Sequence, residues 1–224
     1  MYGFSVYPRR HVTEPEIVEA YRGIPVANIS DVMARTNGGG ALLRPMHDGT
    51  PMAGPALTVK TRPGDNLMLH KALQIAEPGD VIVVEAGGDL TNSLFGGNML
   101  AYAAYRRLGG IVISGAIRDL AEIREQSLPV FAMGVTHRGP YKDGPGEVNC
   151  PIALNGMAVE PGDLIVGDLD GVLAIPREQA GLLLAAARAK RDWEIQTGEA
   201  GRAGHFEKAW IDKELAAKGC LGLR

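Results

Sequence analysis

The sequence predicts an α/β fold, on three observations. Helical-period segments alternate with short β-branched runs as far as residue 132, the rhythm of helices packed on a sheet. Runs such as Val81-Ile82-Val83-Val84 and Ile111-Val112-Ile113 are apolar at every position, as expected of strands covered on both faces. The chain is 46% hydrophobic but only 5% aromatic, with 30 glycines and 14 prolines, so the core is aliphatic and the turns are tight.

Each element has its own signal. Glu14 to Arg22 is apolar at helical spacing and follows Thr13-Glu14-Pro15, a favourable helix start. Val26 to Arg35 contains a second start, with Ser30 or Asp31 as the expected cap of Val32-Met33-Ala34, before Gly38-Gly39-Gly40 breaks the chain. Gly54 to Thr61 alternates as a strand, and Asn66 to Ala76 is helical. Pro78-Gly79-Asp80 turns into the strand Val81 to Val84. Met99 to Leu108 is an Ala-rich helix, Ile111 to Ile113 a strand, Leu120 to Gln126 a short helix and Pro129 to Ala132 a short strand. Four strands are then expected, in Val148 to Leu154, Met157 to Val159, Leu164 to Val166 and Val172 to Ile175, split by Gly and Pro turns. Arg177 to Gln196 is a long helix, and the tail has helical composition around Phe206 to Ala217. The strands are short, so a simple doubly wound sheet is not required. Glu77-Pro78-Gly79-Asp80 and Glu160-Pro161-Gly162-Asp163 echo each other, and both read as turns feeding strands.

With 224 residues the chain fits one domain, expected over 1–197, with a helical appendage over 198–224. A net charge of −3 with interspersed signs gives no basic field for nucleic acid. Cys150 and Cys220 form neither a CxxC pair nor a disulfide framework, which favours a reducing compartment. The opening Met1-Tyr2-Gly3-Phe4-Ser5 has no basic region followed by an apolar run, and no apolar stretch approaches the roughly 18 residues of a spanning helix. The expected location is the cytoplasm.

Chemistry concentrates between Val81 and Glu122. Gly96-Gly97-Asn98 precedes the helix from Met99, and glycines at a helix N-terminus let a carboxylate or phosphate approach free backbone N–H groups. A plain glycine turn with an Asn cap fits the same residues. Arg118-Asp119 follows a buried strand and a glycine, where ligands bind in α/β folds. The aspartate can hold a divalent cation and the arginine a carboxylate or oxyanion. Asp119 with Glu122 also fits an Asp-x-x-Glu capping box. Gly87-Gly88-Asp89 lacks the Gly-x-Gly-x-x-Gly spacing of a nucleotide site.

Gly96-Gly97 ahead of an Ala-rich helix, the run Gly110 to Asp119, Pro161-Gly162-Asp163, Gly167 to Val172 and Ile175-Pro176 together resemble the RraA-like family, from about Ile24 to about Glu199. Gly115-Ala116-Ile117-Arg118-Asp119 is the most specific block. The resemblance implies a compact α/β domain with a β-rich core, flanking helices and a C-terminal helical tail. It also implies a trimer or pair of trimers with sites between subunits. It implies a metal-dependent, class II pyruvate aldolase. Such an enzyme cleaves a 4-hydroxy-2-oxo dicarboxylic or tricarboxylic acid, such as 4-hydroxy-4-methyl-2-oxoglutarate or 4-carboxy-4-hydroxy-2-oxoadipate, and decarboxylates oxaloacetate. Two alternatives stay open: a non-catalytic regulator of an RNA-degrading enzyme, and a lyase or decarboxylase acting on another 2-oxo acid.

By resemblance, Asp119 holds Mg²⁺ or Mn²⁺, and Arg118 contacts the pyruvoyl oxygens. Gly96, Gly97, Asn98 and Met99 cradle the substrate carboxylate, and Glu194 is a carboxylate supplied from the adjacent subunit. The aldolase pattern also places an acidic residue twenty-one positions before the arginine, where this chain has Gly97. Glycine supplies no carboxylate, and the neighbouring Asn98 is no base. Of the remaining polar residues, His70 reads as a satisfied, partly buried side chain of an apolar helix. His137-Arg138 and Lys142-Asp143, in a Gly/Pro-rich loop, read as a solvated turn, with a place in the site wall as the alternative, and Asp31 reads as a cap, with a reach into the site as its alternative. Asp168 and Asp170 flank a glycine turn. Trp193, Phe206 and Trp210 suggest that the tail packs on a neighbouring subunit or on its own core.

Overall fold

The computed structural model describes residues 3–205 and 207–222. Two short helices, α1 (Pro15–Tyr21) and α2 (Val26–Val32), follow strand β1 (Phe4–Val6). The sheet region holds β2 (Arg44–Pro45), β3 (Met52–Thr61), β4 (Val81–Glu85), β5 (Ser93–Phe95), β6 (Gly110–Ile117) and β7 (Val130–Val135). Helices α3 (Leu67–Ile75), α4 (Gly97–Tyr105) and α5 (Leu120–Arg124) connect them. Strands β8 (Gly146–Val148), β9 (Ile152–Leu154), β10 (Met157–Val159), β11 (Leu164–Asp168) and β12 (Gly171–Ile175) precede α6 (Arg177–Arg202) and α7 (Ala209–Ala217).

One mixed sheet runs β1-β8-β3-β4-β6-β7-β2, with β11 and β12 branching from β3 and β5 beside β6. Its centre, β3-β4-β6-β7, is parallel. Because side chains alternate across a strand, this centre serves two cores at once. Ile82 and Val84, with Ile111 and Ile113, pack under Leu69, Leu73, Leu100 and Ala103 of α3 and α4. Val81, Val83 and Val112 face the other way, onto Phe131 and the β9–β10 hairpin residues Ile152, Leu154, Met157 and Val159. A third cluster seats α1, α2 and α6 on β11 and β12 through Tyr21, Ile29, Leu173 and Ala187. No helix of the described residues is long and apolar enough to cross a membrane.

The α/β class and the order of the longer elements match the sequence expectation. Ser30 and Asp31 are not caps, because α2 begins at Val26 behind Pro25. The Val26 N–H donates to Asp168 Oδ2 at 2.8 Å, so the cap arrives from a distant turn. Asp31 instead pairs with Arg35 at 2.9 Å and Lys190 at 3.1 Å. The last long helix continues through Gly198 to Arg202, beyond the expected end at Gln196. The echoed turns behave alike: the Asp80 and Asp163 carboxylates accept the Glu77 and Glu160 N–H groups at 2.8 and 2.9 Å. Phe206 lies outside the described residues.

Candidate functional site

Strands β5 and β6 end side by side, and the site grows from that junction. The Arg118 N–H donates to Phe95 O at 2.9 Å, fixing the residue after β6 against the end of β5. Gly96 is extended at the N-cap of α4, and its carbonyl accepts the Met99 and Leu100 N–H groups at 3.0 Å, which leaves the Gly97 and Asn98 amides at the helix mouth. Asp119 adopts the left-handed conformation, with φ 57°. It occupies the N-cap position of α5, yet its side chain makes no capping bond there. Asp119 Oδ2 accepts the Gly97 N–H of α4 at 2.9 Å instead. This overturns the capping-box alternative: the twist at Asp119 turns its carboxylate away from its own helix and onto the neighbouring one. Arg118 Nε lies 3.5 Å from the same Oδ2, and both side chains are close to half exposed.

The two glycines have a steric reason. A Cβ at Gly96 would lie 2.5 Å from Asp119 Oδ2 and 2.9 Å from Arg118 Cγ. A Cβ at Gly97 would overlap the Glu122 carboxylate. Gly96→Ala is therefore expected to push Arg118 and Asp119 out of place. A misplacement of about 1 Å costs on the order of 100-fold in rate. Steady-state kinetics with a thermal melt will check it, because the melt should stay near wild type while activity falls.

A cavity of about 180 Å³ opens beside Arg118, lined by Asn66, His70, Ser93, Gly96, Asn98, Met99 and Lys142. Asn66 donates from Nδ2 to Leu94 O at 2.9 Å, but its buried Oδ1 has no partner among the described residues. His70 is exposed and lines this cavity rather than being a satisfied core side chain. Desolvation, then the nearby Lys142 charge, lowers its pKa below the ordinary histidine value. Lys142 is no free turn residue either. The buried Asp65 carboxylate accepts the Asp143 and Gly144 N–H groups at 2.7 and 2.9 Å and the Leu67 N–H at 2.9 Å, pinning that loop to the start of α3. A second cleft, of about 300 Å³, lies on the other side of Arg118 and Asp119 against Val135, Thr136 and His137. The Arg138 carbonyl accepts both the N–H and the hydroxyl of Ser93.

Glu194 stands apart from both cavities of its own chain, paired with Lys190 at 3.1 Å. Asp168 caps Val26 and accepts the Asp170 N–H, a turn with no metal-site geometry. Among the described residues, no group of three or more His, Cys, Asp or Glu side chains could hold a metal. Asn66 has no signal of its own in the sequence. Lys142 has one, its Gly/Pro-rich loop, which fits a site wall or a turn, and Glu122 has one, its spacing from Asp119, which fits a cap as well.

Comparison with known proteins fits this architecture. The RraA-like family, described as Aldolase/RraA, matches residues 26–174. A protein of Halalkalibacterium halodurans named as a putative 4-hydroxy-4-methyl-2-oxoglutarate aldolase is 38% identical over 178 residues, covering 80% of this chain and 85% of its own. The Thermus thermophilus protein named 4-hydroxy-4-methyl-2-oxoglutarate aldolase is 36% identical over 118 residues, covering 53% of this chain and 72% of its own. A solved structure from Streptomyces coelicolor, described as an unusual member of the RNase ES inhibitor RraA family, superimposes with TM-score 0.75 at 26% identity over 83% of this chain and 97% of that one. The chain belongs to the RraA-like family.

Proposed function

We propose that this protein is a divalent-metal-dependent aldolase. It cleaves a 4-hydroxy-2-oxo dicarboxylic or tricarboxylic acid to pyruvate and a second oxo acid, and it decarboxylates oxaloacetate. The observation that carries the reading is the convergence of Arg118 and Asp119 on the glycine-opened N-terminus of α4. Asp119 would hold Mg²⁺ or Mn²⁺. Its hard oxygen donors, with too few side chains nearby for a complete cage, suit a cation that keeps several waters. When bound, that cation supplies Lewis acidity toward the 2-oxo group.

The chain's own residues do the rest. The Asn98 N–H in the first turn of α4, with the helix dipole behind it, receives the C1 carboxylate. Arg118 stabilises the charge that develops on the enolate oxygen. At the other end of the cavity, Lys142 attracts a distal carboxylate, and the orphaned Asn66 Oδ1 accepts a hydrogen bond from substrate. Glu194 serves the site of an adjacent subunit in a trimer or hexamer. The exposed Trp193, Ile195 and Trp210 on α6 and α7 offer that neighbour an apolar surface.

Pyruvate release from 4-hydroxy-4-methyl-2-oxoglutarate and from oxaloacetate, followed with and without Mg²⁺, tests the reading. Metal-dependent release from both is expected. No pyruvate from either would sink it and favour the regulator reading, which the name of the Streptomyces neighbour supports.

A further inference from the structure

We propose that Glu122 is the proton acceptor of this site, its carboxylate standing in the volume that a side chain at position 97 would fill. The proposal rests on the aldolase reading given above. A metal-assisted retro-aldol cleavage needs a group to take the substrate hydroxyl proton besides the one that holds the cation. Asp119 is committed: it accepts the Gly97 N–H at 2.9 Å and faces Arg118 Nε at 3.5 Å.

Glu122 is the other carboxylate at the same spot. Oε2, Cδ and Oε1 all lie within 3.0 Å of the place a Cβ on Gly97 would take. Asp119 and Glu122 thus approach one residue of α4, from its N–H and from its α-carbon. Glu122 is exposed, and no side-chain hydrogen bond or ion pair among the described residues engages its carboxylate. Asn66, only 2% exposed and with a partnerless Oδ1, marks the adjoining cavity as built for a ligand that donates a hydrogen bond. For His70, the rival base, desolvation and then the nearby Lys142 charge disfavour uptake of a proton.

In the step, the C4 hydroxyl proton passes to the Glu122 carboxylate. The C4–O bond closes to a carbonyl, and the C3–C4 electron pair enters the pyruvate enolate. The same proton then returns to C3, giving the pyruvate methyl group and restoring Glu122. Oxaloacetate has no such hydroxyl. It loses carbon dioxide into the same enolate without prior proton removal, so the two reactions separate base catalysis from enolate stabilisation.

The test measures kcat/KM for 4-hydroxy-4-methyl-2-oxoglutarate cleavage and for oxaloacetate decarboxylation in the full-length protein. Glu122→Gln should lower the ratio of cleavage to decarboxylation by about 100-fold or more, the usual contribution of a positioned base. Gly97→Ala should lower the same ratio by displacing the flexible Glu122 side chain, with α4 intact. The double variant Gly97→Asp with Glu122→Ala should recover part of the ratio, because it returns a carboxylate from the α4 side. An unchanged ratio in both single variants overturns the proposal. So does a fall in His70→Gln without one in Glu122→Gln, and so does a wild-type protein that decarboxylates but never cleaves. A wild-type protein that does neither overturns the aldolase reading, and the proposal with it.

Discussion

Arg118→Ala is expected to reduce kcat/KM for pyruvate release by about 100- to 1000-fold, the range seen when one preorganised donor to a developing oxyanion is lost. Arg118 is held on three sides: by its own N–H to Phe95 O, by the Asp119 carboxylate, and by Gly96 beneath its Cγ. Its guanidinium is therefore positioned before substrate arrives, which is what makes such a charge effective. Arg118→Lys should recover little, since an ammonium cannot reproduce the planar fork. Asp119→Ala should fall at least as far and should not be restored by excess Mg²⁺. Both side chains are nearly half exposed, so thermal melts of the variants should stay close to wild type. Wild-type Mg²⁺-dependent turnover in purified Asp119→Ala would remove this pair from the mechanism.

The second large effect falls on stability. Asp65 is fully buried and takes three backbone N–H bonds, with Arg62 Nη2 at 3.2 Å. Asp65→Ala leaves those donors facing an apolar void, and a buried network broken on one side costs about 3 to 5 kcal/mol. Chemical denaturation at fixed protein concentration will measure it, since any assembly adds a concentration term. Burial pushes the Asp65 carboxyl up, but the backbone donors and Arg62 prevail and hold it below the ordinary aspartate value of 3.8. A lowered folded-state pKa means that the stabilisation is complete above the unfolded value and is lost as pH falls through the folded one. The gap between wild type and Asp65→Ala should thus be full at neutral pH and shrink only below about pH 3.8. A gap that does not change with pH would show that Asp65 acts by shape alone.

The parts of the fold legible in the sequence are those set by local pattern. Val81 to Val84 and Ile111 to Ile113 were readable because both faces of each strand are covered, leaving no polar position. Gly96-Gly97 was readable as a helix entrance for the same local reason. Strands β1, β2 and β5 are two or three residues long and exist through distant partners, as Phe4 does opposite Gly146. The cap of α2 was misplaced because its donor's partner, Asp168, lies 142 residues away. The site shows the same limit. Asn66 carries no motif, the signals at Lys142 and Glu122 fit a turn and a cap as well, and only the meeting of α3, α4, α5 and the 136–145 loop brings Asn66 and Lys142 to one cavity and Glu122 to Gly97.

The left-handed turn at Asp119 has a consequence for how this protein can change. A non-glycine residue there carries a conformational cost of roughly 1 kcal/mol or more. Glycine would relieve it, and asparagine would tolerate it. Either replacement discards the carboxylate that reaches Gly97. The strain relieved by glycine and the hydrogen bond forfeited with the carboxylate are each about 1 kcal/mol, so thermostability screening or consensus design, blind to turnover, has little reason to keep aspartate here. Replacement of aspartate among variants selected for stability alone would therefore report that activity is no longer under selection.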